Sequence, residues 1–272
     1  MSWGLDVSSD TIERAKAGDA DALDAIAMMM MQPVYNVAVR FLYEPIEAED
    51  AAQEAVLRVL KGLPTFRGDS SFSTWAYRVV VRSLSNVRRG RRESLSIEDG
   101  IRALDEGLAS EMLGPEDAVL VEEVKLSCTT ALLVCLPRSQ RMAYVLGEIM
   151  GFSGPEAASI LEIAPTAFRQ RLAVARKTVR EFFRARCGLV DEGLPCRCER
   201  QVAYCRRVGF IDPSDLRFAN RGPEHRSASK RLDQAFDEAS IYRAHPNYEP
   251  TRALGSAIRA RLAEVLDVQG EA

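Results

Sequence analysis

The sequence predicts an all-α protein: two helical domains, the second a helix-turn-helix, joined by an acidic linker and followed by a helical C-terminal extension. Three observations predict it. Apolar residues recur mostly at helical spacing, and alternating strand patterns are scarce. Glycine and proline clusters cut the chain into lengths suited to ordinary helices. The charge is segregated. Six arginines and no acid lie between Arg78 and Arg92, and seven basic residues against Glu181 alone lie between Phe168 and Arg186. Between Glu93 and Glu123, ten acids face Arg102 alone.

The net charge of −3 therefore conceals two basic blocks split by an acidic spacer. Two separate contacts with a polyanion would produce that pattern, and so would two solvated helix faces. With 272 residues, 47% of them hydrophobic, the chain can form two small domains and an extension. The longest unbroken apolar run, Ala25–Met31, is too short to cross a bilayer, and no secretory pattern opens the chain. The expectation is a cytoplasmic protein without a membrane partner. An enzyme is not expected. The only histidines, His225 and His245, fall in loop-like segments, and no phosphate-cradling glycine loop is present.

Taken in order, residues 11–31 and 34–43 read as two helices. Glu47–Leu60 reads as a third, with Ala51, Ala52, Ala55, Val56, Val59 and Leu60 on one face. Gly62, Pro64 and Gly68 break the chain before a helix from Ser73 to about Arg89. Residues 91–115 read as linker, and Glu116–Cys135 as helix. Leu136-Pro137 separates it from Gln140–Met150. Ser153-Gly154-Pro155-Glu156 has capping-box spacing with proline near the first helical position, so a short helix follows. After Glu162-Ile163-Ala164, Pro165 opens a longer basic helix to about Arg184. Short helix, tight turn, longer basic helix is a helix-turn-helix. Two more helices are expected at 229–243 and 251–268.

The helix from Pro165 carries the sharpest chemistry. Phe168, Leu172, Ala175 and Val179 form a packing stripe. Thr166, Arg169, Gln170, Ala173 and Lys177 lie largely opposite. Arg169 and Gln170, near its start, suit paired hydrogen bonds to guanine and adenine edges. Arg176, Lys177 and Arg180 are better placed for phosphates. Earlier, Phe66, Phe72 and Trp75 interleave with polar residues and run into the arginine-rich helix, a combination that suits single-stranded DNA. Phe72 and Trp75 read as core, and Phe66 as the exposed ring.

Glu49-Asp50-Ala51-Ala52-Gln53-Glu54, Phe66-Arg67-Gly68-Asp69 and Phe72 to Arg78 resemble the first domain of an extracytoplasmic-function (ECF) sigma factor. Leu136-Pro137 with Arg141, Ser153 to Ile163, and Phe168 to Leu172 with Ala175-Arg176 resemble its second domain. The resemblance covers residues 10–186 in the family's order. It implies two DNA-binding domains (1–92 and 121–186), an acidic linker (93–120) and an extension (187–272) outside the family pattern. It implies core RNA polymerase and promoter DNA as partners, with an anti-sigma factor as a further one. Asp50, Gln53 and Glu54 would dock on the polymerase's largest subunit. Phe66, Arg78, Arg82, Asn86, Arg88 and Arg89 would capture the opened minus-ten element. Arg169 and Gln170 would read the minus-thirty-five element, with Thr166, Arg171, Arg176 and Lys177 as further DNA contacts. Relatives often carry Asn at Arg82 and Gly at Glu162, and larger or basic residues at Ala173 and Val174. These departures bear on which promoter is read. The alternative reading is a helix-turn-helix regulator with a metal- or thiol-sensing tail, which leaves Asp50–Glu54 and Phe66–Arg78 unexplained.

No cofactor is required by this chemistry. Cys187, Cys196, Cys198 and Cys205 lie within nineteen residues, beside several arginines that would favour thiolates. Structural zinc, a redox switch and unliganded thiols all remain open for them. Cys128 and Cys135, seven residues and ~10 Å apart along a helix, cannot pair with each other and read as core.

Overall fold

A computed structural model of the chain describes residues 3–88, 90, 95–109, 118–219, 231–232, 234–235, 237–262 and 265–266. The helices are α1 (Ser9–Lys16), α2 (Ala20–Leu42), α3 (Pro45–Gly62), α4 (Phe72–Ser85), α5 (Ile97–Leu108) and α6 (Ala118–Cys135). They continue with α7 (Arg138–Tyr144), α8 (Gly154–Ile160), α9 (Pro165–Arg186), α10 (Cys198–Arg207), α11 (Glu238–Ala244) and α12 (Arg252–Ala260). Among the described residues the only extended pairing is an isolated bridge between Cys187 and Cys196. Two compact units emerge, each gathered from separated segments.

The first unit comprises Met1–Arg88, Val145–Arg169 and Asn247–Ala272. Its first helix break falls at Gly18-Asp19, not at the predicted Gln32-Pro33. Gly18 takes a left-handed φ of +83°, and the Asp19 carboxylate accepts the amides of Asp21 (3.0 Å) and Ala22 (3.1 Å). Helix α2 then runs through Pro33 without interruption. The packing of α2 on α3 outweighs the hydrogen bond that proline removes. By length and composition α2 could also span a membrane, but Leu23, Ile26, Met30, Val34, Val37 and Phe41 are buried in this unit's interior. The expected apolar face of α3 is buried throughout. Helix α4 starts where the Ser71 hydroxyl accepts the Thr74 amide at 3.1 Å. Tyr77 on α4 donates to the Trp3 carbonyl at 2.9 Å, tying the N-terminal segment down. It also meets the Phe152 ring edge-on.

The second unit comprises Arg89–Tyr144 and Gln170–Pro246. Val121 and Val124 of α6 pack with Val202, Tyr204 and Cys205 of α10 and with Ile211. Arg141, fully buried, donates to the carbonyls of Val134 (2.6 Å) and Leu136 (3.0 Å) and so closes the end of α6. The stretch 97–108, read as linker, is a helix. Ser96 and Asp99 form a reciprocal capping box, and Ile97, Ile101, Leu104 and Leu108 are half-buried along one side. It is held by Gln201, which donates to the Leu104 carbonyl at 3.0 Å, and by Tyr204, which donates to Glu106 at 2.8 Å. Arg186 pairs with Asp105. The tail helices α11 and α12 fall on the two stretches expected to be helical. Residues 229–230, 233 and 236 of the first stretch, and 263–264 and 267–268 of the second, lie outside the described residues.

Candidate nucleic-acid interface

The helix-turn-helix begins as its sequence dictates. The Ser153 hydroxyl accepts the Glu156 amide, and the Glu156 carboxylate takes the Ser153 amide at 2.9 Å. These bonds to Ser153 hold the Glu156 carboxyl below the usual range. Ala157, Ala158 and Ile160 are buried. The turn that follows needs a left-handed residue, and Glu162 supplies it at φ +53°. A side chain there costs roughly 1–2 kcal/mol relative to the right-handed region. Along α9, Phe168, Leu172, Ala175, Val179 and Phe183 are buried, while Thr166, Arg169, Gln170, Ala173, Arg176 and Lys177 are exposed. Arg171 is half-buried. Lys177 lies 3.8 Å from Glu181, an exposed pair that solvent screens. One side of α9 therefore presents donors and cations, and the other holds it in place.

The second candidate surface is partly occupied. Arg78 donates through Nε to the Ser159 carbonyl (3.2 Å) and through Nη2 to the Ser159 hydroxyl (3.0 Å). Arg82 pairs with Glu162. The helix-turn-helix segment thus holds two arginines expected on the opened strand, and neither Ser159 nor Glu162 was suggested by sequence. Asn86 is exposed just past the end of α4, and Arg88 is exposed. Arg89 lies outside the described residues.

Phe66 is not a free ring. It is half-buried, its centroid 5.8 Å from Phe72 and 5.3 Å from Trp75, with the Lys16 ammonium 5.6 Å above it. The loop's aromatics prefer each other to water. On α3, Asp50 is exposed, and Gln53 and Glu54 are half-buried. Glu54 accepts from Arg58 at 2.7 Å.

All six cysteines line one cavity of about 240 Å³ in the second unit. Cys128 and Cys135 come from α6, so they are cavity wall rather than packed core. Among the described residues, no three His, Cys, Asp or Glu side chains are grouped to hold a metal ion. The thiolate expectation is also reversed. Burial pushes the Cys196 and Cys135 thiols up to about 11 and Cys205 to about 12, while Arg197 and Arg186 only partly offset this at Cys196. Cys128 and Cys198 are raised well above the usual thiol range by the same cause. These groups hold their protons more tightly folded than unfolded. Their contribution to stability is intact below the ordinary thiol pKa and is lost as pH rises from ~9 toward the folded values. Alkylation of the folded chain at neutral pH is expected to be at least ~10-fold slower than in urea, counted by mass spectrometry. Equal rates would contradict the burial.

A helix-turn-helix with an exposed basic side, together with an arginine-bearing helix α4, is the equipment of a DNA-binding protein. Residues 27–93 match the family Sigma-70 region 2, and residues 126–179 match Sigma-70, region 4. The RNA polymerase sigma-H factor of Pseudomonas aeruginosa is 31% identical over 173 residues, covering 62% of this chain and 89% of that protein. The ECF RNA polymerase sigma-E factor of Escherichia coli K12 is 32% identical over 173 residues, covering 62% and 90%. A solved structure of CnrH in complex with the cytosolic domain of CnrY aligns with a TM-score of 0.47 at 20% identity, covering 62% of this chain and 92% of that one. The chain belongs to the extracytoplasmic-function group of RNA polymerase sigma factors. As an alternative sigma factor it binds core RNA polymerase and directs transcription initiation at promoter DNA.

Proposed function

We propose that Thr166, Arg169, Gln170 and Arg171 read the upstream promoter element in the major groove, with Arg176 and Lys177 on flanking phosphates. The observation that carries this reading is the two-sided character of α9: a buried stripe from Phe168 to Phe183 and an exposed start bearing Thr166, Arg169 and Gln170. Arg169→Ala or Gln170→Ala is expected to cost ~1–3 kcal/mol per lost base contact and to relax preference at one position. Lys177→Ala should weaken binding to all sequences and flatten the salt dependence. Binding isotherms on promoter variants check this; equal, sequence-blind losses from all three would exclude this face.

The same reading assigns Asp50, Gln53 and Glu54 on α3 to core polymerase. It assigns Arg78, Arg82, Asn86 and Arg88, with Arg89, to the opened downstream element. Capturing that strand requires Ser159 and Glu162 to give up Arg78 and Arg82. Phe66 would have to leave its aromatic neighbours to stack on a base. Action in the cytoplasm, no catalytic step of its own, and an anti-sigma factor among its partners complete the proposal. For the tail thiols, the absence among the described residues of three side chains grouped to hold a metal ion favours an unliganded state. Zinc would have to draw Cys187, Cys196, Cys198 and Cys205 together and release their protons. Elemental analysis of protein purified without chelator tests this, and one zinc per chain would overturn it.

A further inference from the structure

The first unit is completed by a piece of chain outside both matched sigma regions. Residues 247–262 return to helices α2 and α3, where they are held in two ways. The inner hold is buried. Asn36 donates through Nδ2 to the Tyr248 carbonyl at 2.8 Å, and its Oδ1 accepts the Tyr248 amide at 3.0 Å. Asn36 thereby pairs with both backbone groups of Tyr248 as a neighbouring strand would. The Arg40 guanidinium, fully buried, lies 5.0 Å from the Tyr248 ring and 5.4 Å from the Trp3 ring. Two polar side chains of α2 are thus placed deep in the unit with the tail as part of their surroundings.

The outer hold lies along acidic side chains. Glu49 accepts the Thr251 amide (2.7 Å) and hydroxyl (2.8 Å). Arg259 donates to both oxygens of Asp24, at 2.8 and 3.2 Å. Arg261 reaches Glu54 at 3.6 Å. Beneath these contacts Leu254 and Ile258 are buried, and the backbone at Gly255 passes close to Met28 and Met31. Glu49 and Glu54 flank Asp50 and Gln53 on the same helix. The tail therefore grips the surface of α3 that carries the proposed polymerase contacts.

We infer that residues 251–262 are a built-in competitor for core RNA polymerase, covering the docking surface of α3 until polymerase displaces them; this rests on the assignment of Asp50, Gln53 and Glu54 to polymerase. The division between the two holds makes exchange feasible. The outer ion pairs are exposed, so each is weak and screened by salt. The inner anchor at Tyr248 is dry. Helix α12 can lift while the anchor keeps it tethered close to its site, so it rebinds at a high effective concentration. Polymerase then meets a docking surface that is open only part of the time, and its apparent affinity falls by that fraction.

The test is made on the full chain. Arg259→Glu with Arg261→Glu places like charges opposite Asp24 and Glu54 and leaves every proposed polymerase contact intact. Titrating labelled protein against core polymerase should show Kd falling at least ~5-fold in the double variant, with the wild-type gap narrowing as salt is raised. Limited trypsin digestion after Arg252 should quicken in parallel, reporting that α12 has lifted while the fold persists. Asp50→Ala is made in both backgrounds. If cleavage quickens, Asp50→Ala weakens binding, and the double variant binds no tighter than wild type, the competitor is overturned and the docking assignment stands. If Asp50→Ala and Gln53→Ala leave Kd unchanged in the opened background, the docking assignment itself fails. Unchanged cleavage in the double variant would show that the ion pairs do not hold α12, which also overturns the inference.

Discussion

Asn36→Ala is expected to lower the stability of the first unit by about 3 kcal/mol, among the largest losses available to a single polar side chain. Asn36 is 1% exposed and serves four partners. It donates to the Gln32 carbonyl (2.9 Å) and to the Tyr248 carbonyl, and it accepts from the Tyr248 amide and from Arg40 Nη1 (2.9 Å). Alanine leaves the Tyr248 amide and carbonyl in a dry site without that partner and takes one acceptor from a buried guanidinium. Each stranded group costs roughly 1–3 kcal/mol, less whatever the segment recovers by peeling into water. Asn36→Asp keeps the acceptor for Tyr248 and Arg40 but sets a carboxylate oxygen against the Gln32 and Tyr248 carbonyls, so a loss of similar size is expected. Urea unfolding followed by tyrosine and tryptophan fluorescence checks both. A loss under ~1 kcal/mol would mean that the tail is readily shed.

Glu123→Ala is expected to cost about 4 kcal/mol in the second unit, since hydrogen bonds to a buried charge are worth more than neutral ones. Glu123 sits on α6 at 1% exposure. Its Oε1 accepts from the Ser127 hydroxyl (3.1 Å) and the Arg217 amide (3.1 Å), and its Oε2 accepts the amides of Phe218 (3.0 Å) and Ala219 (2.7 Å). One carboxylate thus organises three consecutive peptide groups that no helix or strand satisfies. Glu123→Gln is instructive because it keeps shape and loses only charge and one acceptor. Its amide nitrogen must face a pair of donors, so about half the alanine loss is expected. Thermal unfolding of both variants gives the comparison, and an unaffected Gln variant would show that charge contributes nothing here.

Short-range signals made part of this protein legible. The box of Ser153 and Glu156, the proline at 165 and the stripe through Phe168, Leu172, Ala175 and Val179 act within a turn or two, so sequence alone locates α8 and α9. The buried face of α3 was equally plain. What escaped depends on distant partners. Arg78 and Ser159 are 81 positions apart, and Asn36 and Tyr248 are 212 apart, so no local pattern announces either pairing. Phe66 looked exposed because its loop contains glycine, yet Phe72 and Trp75 gather it in. Helix α5 was hidden by its acids, although Ser96 and Asp99 carried the capping signal. Position along the chain separates the cysteines into two groups, whereas folding sets all six on one cavity.

The return of the tail to α2 and α3 also orders events during synthesis. Arg88 ends the first segment of the first unit, and Asn247 begins its last. At roughly 5–20 residues per second, the ribosome needs on the order of ten to thirty seconds to bridge that interval. Through most of it, α2 and α3 are already outside the ribosome while Tyr248, which Asn36 pairs with, has not yet been added. The nascent chain therefore presents its α3 surface uncovered before the completed protein covers it. A polymerase encountering the growing chain meets a different binding surface from one encountering the finished molecule.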